Sequence, residues 1–193
     1  MNKQEFSPDD SLKTIDQALR QAKAEKTGAS FYYLLWGAIL FIYFFLLFVK
    51  AWHPEVIGGL LTTLMYGVFP IGGLLSYLRS KGDDRREKAR GYFENVYLFG
   101  FAGFAIAYGI IFLTSVYRDP VLPAISFPLL LGFTVFVVGG ITKHKASIIC
   151  GILGMICTGV SLNVSLEMQY LIAALAAVIV CIVPGLLMKY KNV

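Results

Sequence analysis

The groups in this chain able to do chemistry are few: two histidines, three cysteines and 12 carboxylates in 193 residues. A zinc site needs His, Cys or carboxylate ligands converging on one point. His53 falls in a turn on one side of a series of apolar stretches and His144 in a turn on the other, while Cys150, Cys157 and Cys181 lie within the stretches. A metal centre within one protomer is therefore not expected. A serine nucleophile needs a base within hydrogen-bond reach, and no stretch contains one. Aspartyl proteolysis and carboxylate proton relays fail because the stretches hold no Asp or Glu. The outer turns offer Lys50, His53, Glu55, Arg118, Asp119 and Glu167, among which His53 with Glu55 or Asp119 is the pairing able to act as base and orienter. Scattered turn residues of this kind are usually just solvated, so the chain is read as non-enzymatic and without a cofactor. The cysteines, odd in number, read as free thiols packed as small apolar groups. Cys150 and Cys157 lie about 10 Å apart along one helix, too far to bridge.

The densest charge run is Lys81-Gly-Asp-Asp-Arg-Arg-Glu-Lys-Ala-Arg-Gly91. It resembles the acidic, Ala-Arg and Gly elements of the CDP-alcohol phosphotransferase signature, but the spacing differs and the downstream aspartates are missing, so that activity is not implied. Its expected role is attraction to anionic lipid headgroups through Arg79, Lys81, Arg85, Arg86, Lys88 and Arg90, at about 1 kcal/mol each near the surface.

The elements that would position these groups are membrane spans. The chain is 57% hydrophobic and 15% charged, outside the range of soluble domains. Roughly 20 apolar residues are needed per helical crossing. Six crossings are predicted, over 31–49, 56–78, 96–117, 124–142, 146–164 and 170–188, followed by a tail at 189–193. The fold class is all-α, a polytopic bundle with a short cytosolic helix ahead of it. Of the 17 Lys and Arg, all but Lys50 and Arg118 fall on one side of this alternation. The positive-inside rule then places both termini in the cytoplasm. The same distribution explains the net charge of +5 without nucleic acid. Residues 1–30 lack the apolar core of a signal peptide, so the first span is expected to serve as its own insertion signal.

Within residues 1–30, Ser7, Pro8, Asp9 and Asp10 make a helix start. Leu12, Ile15, Leu19 and Ala22 form a narrow apolar stripe, and Gly28 is the expected stop. Span one opens with the aromatics Phe31, Tyr32, Tyr33 and Trp36, is bulky all round after Ala38, and is expected at the lipid-facing edge. Small residues mark faces on other spans: Gly59 and Gly73 on the second, Gly100 and Gly103 on the third, and Ser147, Gly151, Gly154, Thr158 and Ser161 on the fifth. Such faces allow close helix approach; ordinary packing and a narrow polar path both fit, packing the better. The sixth span offers Ala173, Ala177, Cys181 and Pro184. Pro70 and Pro184 are expected to kink their spans. Pro120, Pro123 and Pro128 predict an irregular entry to the fourth. Gly-Gly or Pro-Gly pairs near the inner ends of spans two, four and six hint at a triplicated hairpin.

The segment Phe31-Tyr-Tyr-Leu-Leu-Trp-Gly37, after a short charged helix, resembles the start of uncharacterised small multi-span proteins of bacterial inner membranes, over about the first quarter of the chain. In architecture the chain is also similar to ABC-2-type permease subunits, which have six spans, a cytosolic amphipathic helix, and a loop between spans two and three that touches an ATPase. This chain is short for that family, and its turn near Ser165 to Gln169 has no room for the family's outer re-entrant helices. The leading expectation is a non-catalytic scaffold or regulatory subunit of the bacterial inner membrane. It would bind a partner through Leu12, Ile15 and Leu19 and the basic loop, or through a small-residue face within the bilayer, where a second copy of the chain is one candidate. The alternative is a small permease subunit working with a separate ATPase.

Overall fold

A computed structural model describes residues 8–53, 67, 70–78, 92–115 and 121–190, with the side chains of 8–27 and 92–94 excepted. The described residues form helices joined by short turns, with no strand among them. The helices are α1 (Pro8–Trp52), α2 (70–78), α3 (Tyr92–Ser115), α4 (Val121–Ile141), α5 (Lys145–Ser161), α6 (Leu166–Ala177) and α7 (Val183–Tyr190); a π-helical turn, Val178–Ile182, joins the last two. Four runs are long and apolar enough to cross a membrane: Gly28–Trp52, Asn95–Ser115, Val121–Ile141 and Leu166–Tyr190. At 17 residues α5 is shorter. Apart from Gly67 and 70–78, the expected second span lies outside the described residues, as do Ser7, Gly59 and the basic residues from Arg79 to Arg90.

The expected stop at Gly28 is not there. The helix that begins at Pro8 runs unbroken for 45 residues, so the helix expected at 1–30 and the first span are one element. A helix-ending glycine takes a left-handed conformation, and no described glycine has positive φ. Gly28 is instead an interior helical residue, tolerated at a cost of about 1 kcal/mol relative to alanine. Of the three prolines expected to make the entry of the fourth span irregular, Pro120 lies outside the described residues and the other two do not break the helix. Helix α4 already includes Pro123, in its first turn where no intrahelical N–H bond is lost, and Pro128 lies inside it.

The expectation that span one sits at the edge is also corrected. Tyr33, Leu40 and Phe44 of α1 are buried in the same core cluster as Ala173, Ala174 and Ala177 of α6 and Phe127, Leu131 and Val135 of α4. Large side chains on one helix are received by an alanine face on the other, and Ile42 and Phe45 of α1 are what remain exposed. Between Tyr33 and Leu40, α1 comes closer still: a Cβ on Gly37 would lie 2.8 Å from Cys181 Cβ and 3.2 Å from the Ile182 backbone N. The Ser30 hydroxyl donates to the Gly185 carbonyl at 2.7 Å, fixing the start of α1's apolar run beside α7.

Pro184, the second residue of α7, has no N–H to give, and its ring needs room beside the preceding turn. The π turn supplies that room: the Val183 N–H reaches back to the Val178 carbonyl. Helices α4 and α5 form a tight hairpin. Lys143 takes φ 54°, with Lys143 N–H bonded to Gly140 O at 3.2 Å and His144 N–H to Gly139 O at 2.8 Å, the double closure of a Schellman turn. Across the hairpin, a Cβ on Gly132 would lie 2.7 Å from Gly151 O and 2.8 Å from Met155 N; one on Gly151 would lie 2.6 Å from Phe136 N.

Those neighbours are backbone atoms and cannot step aside. Gly132→Ala should therefore destabilise the protein by about 1–3 kcal/mol. Gly159→Ala, where nothing lies within 4 Å, should be neutral or stabilise by up to about 1 kcal/mol. Unfolding midpoints of the two variants in detergent micelles should move in opposite directions, or only the first should move.

Candidate aromatic cleft

Between α1 and α3, closed by α2 on one side and by α4 below, lies a cleft of about 830 Å³. Its walls follow from helical spacing. On α3, Tyr97, Phe101, Phe104, Tyr108 and Phe112 recur at steps of four, three, four and four; on α1, Tyr33, Trp36, Leu40 and Tyr43 do so at three, four and three. Steps of three and four put side chains on one helix face, so each helix presents an aromatic stripe to the same space. Leu131 of α4 and Cys181 line the floor, and behind the wall Phe127 holds Phe44, Phe104 and Tyr108 together, its ring centroid 4.2, 5.9 and 5.5 Å from theirs. At the other end Tyr33 meets Tyr97 and Phe101 edge-on at 5.8 and 5.5 Å. Such edge-to-face pairs contribute about 0.5–1.5 kcal/mol each beyond the area they bury.

The Ser30 end of the bundle gathers polar groups. The Tyr97 hydroxyl stands beside Thr142. Tyr33 is 2% exposed, and its hydroxyl is near enough to Ser147 to feel it yet closes no hydrogen bond among the described residues. Ser76 Oγ, of a residue in the cleft wall, is likewise buried with no partner among the described residues. An unpaired buried hydroxyl costs about 1–3 kcal/mol, so these two groups are what the cleft leaves unsatisfied.

Next to this region the structure holds a Ser–His pair that the expectation of no base near a span serine excludes. His144 Nδ1 lies 2.8 Å from Ser147 Oγ and accepts from the Ser147 backbone N–H at 3.2 Å. His144 is the N-cap of α5, and a cap at this offset satisfies one of the helix's orphan amides. Ser147 is fully buried, so its hydroxyl has no face open to a substrate, and capping accounts for the pair.

The residues singled out by sequence fall in different places. Gly151 and Gly154 are buried in the α4–α5 and α5–π-turn contacts, Gly154 against Val180 and Gly132. Gly100 faces Val138 of α4, and Gly73 and Gly103 have nothing within 4 Å. The side chains of Leu12, Ile15 and Leu19 are outside the described set, as are Gly59, Arg79, Lys81, Arg85, Arg86, Lys88 and Arg90. Cys150, Cys157 and Cys181 are unpaired thiols. Among the described residues no three His, Cys, Asp or Glu side chains converge as metal ligands would. The cleft itself was not anticipated, although the stripe on α3 was readable in the sequence. No protein-family model matches the chain, and searches of curated proteins and of solved structures find none similar to it.

If the Ser–His pair is a cap, a fluorophosphonate serine probe should leave Ser147 unlabelled in the folded protein. His144→Ala should cost about 1 kcal/mol, read as a lower unfolding midpoint. Labelling of Ser147 would make it a nucleophile instead.

Proposed function

We propose that this chain is a multi-pass inner-membrane protein of bacteria that acts as a non-catalytic scaffold or regulatory subunit. The observation that carries the reading is the continuity of α1. Of its 45 residues, the apolar run begins only at Gly28. The preceding helical residues, 8–27, extend about 30 Å along the helix at 1.5 Å per residue. This polar arm carries the stripe of Leu12, Ile15 and Leu19, and a partner's apolar groove would receive it in the helix-in-groove mode. Within the bilayer, the α5 small-residue face is already taken by α4 and the π turn, which leaves the open surface of α3, where Phe99 is 74% exposed, for a membrane partner or a second copy of the chain.

Residues 56–78 and α5 would complete six crossings. The hydrogen bond from Ser30 to Gly185 and the alternation of the helices put Lys143, Lys145 and Lys189 at the end where α1's apolar run begins. That grouping supports a cytoplasmic placement of this end, and of both termini, under the positive-inside rule.

Changing Leu12, Ile15 and Leu19 together to Ser should strip the co-purifying partner from protein isolated out of native membranes while leaving its membrane integration intact. Retention of every partner would overturn the role of the arm. A partner set containing an ATPase would favour the small permease subunit instead.

A further inference from the structure

We propose that the aromatic cleft binds one membrane phospholipid, with an acyl chain between α1 and α3 and the ester and phosphate groups at the Ser30 end. The proposal rests on the membrane reading above and goes beyond it. Four features of the cleft point to this occupant.

The first is size and shape. A volume of about 830 Å³ falls within the roughly 300–1,000 Å³ of small-molecule sites. The wall from Tyr97 to Phe112 rises about 22 Å along α3, somewhat more than the ~15 Å of hydrocarbon in one leaflet. A single flexible chain of that length can lie along the wall.

The second is the lining, which between its ends is aromatic rings, alanines and leucines, the surface an acyl chain wets. The third is the ring chemistry of the Ser30 end, where Tyr32, Tyr33, Trp36 and Tyr97 line the cleft. Tyr and Trp rings settle at the headgroup level of a bilayer, the depth at which a glycerolipid carries its ester and phosphate groups.

The fourth is charge. Thr142 stands beside Tyr97, and the exposed Lys143 and Lys145 follow it in the chain at the same end. Cations at the surface there attract a phosphodiester, which selects a phospholipid over an uncharged isoprenoid or sterol of similar length.

The test uses the full chain in nanodiscs of phosphatidylcholine doped with phosphatidylglycerol bearing a diazirine midway along one acyl chain. After irradiation, labelled peptides are mapped by mass spectrometry and the ratio of cleft labelling to labelling of the exposed α5 residues Leu153 and Ile156 is read. Wild-type protein should label at Phe101, Ala105 or Tyr108. Ala105→Trp and Gly109→Leu, which fill the cleft, should lower the ratio about tenfold, with α5 labelling unchanged. If either filling variant fails to integrate, the other carries the comparison. A ratio equal in wild-type and variant proteins would overturn the site, and loss of labelling on adding an equimolar isoprenoid alcohol would overturn the phospholipid assignment. Extraction of the protein from native membranes by alkaline carbonate would overturn the membrane reading itself and is scored separately.

Discussion

Close contact at nearly backbone-to-backbone distance is the interaction on which this bundle depends. Helices surrounded by hydrocarbon gain little from hiding apolar side chains from one another, and association then rests on dispersion and on how near two backbones can come. The α4–α5 hairpin meets that condition through Gly132, Gly139 and Gly151, each so placed that even a methyl group would collide with the opposite helix, while one on Gly154 would collide with Val180. The α1 contact meets it differently, with Tyr33, Leu40 and Phe44 received by the alanines of α6. Both contacts share Val180, which is fully buried in the core cluster and also touches Gly154. Through that residue the hairpin and the α1–α6 pair are one body, and α3, resting on α4 at Gly100, is attached to it from outside.

The legibility of this arrangement in sequence follows the same division. Ser147, Gly151, Gly154, Thr158 and Ser161 are small at every step of one face, and all five are buried in α5. A small side chain advertises close packing because few other reasons put a row of them in an apolar helix. The place of α1 was illegible for the converse reason. Bulk on a helix says nothing about where it sits until the partner face is known, and the alanines that accommodate it are about 130 residues away. The helix stop assigned to Gly28 failed because glycine is only permissive of the left-handed conformation and does not impose it.

The cleft and the Ser–His pair were missed for different reasons. The aromatic steps on α3 are as regular as the small-residue steps on α5, yet an aromatic row reads equally as core, as lipid-facing surface or as a cavity wall. Only the spacing between α1 and α3 decides among them. The pairing of His144 with Ser147 is purely local, three residues apart, and was hidden by treating the turn and the span as separate compartments. The first turn of a helix belongs to both.

The π turn gives the last helical run an unusual dependence on residue count. Gln169, Ala173, Ala177, Cys181 and Gly185 are all buried, a row at a uniform step of four. In a regular α-helix of 3.6 residues per turn, such a row would precess by about 40° at each step, and Gly185 would have turned well away from the helix that Ala173 faces. The wide turn at Val178–Ile182 absorbs part of this phase error, keeping Ala173 and Gly185 both against α1. Removing one residue from that turn would disturb the run more than replacing any one of them with another apolar side chain, because deletion changes the phase of everything after it and substitution does not.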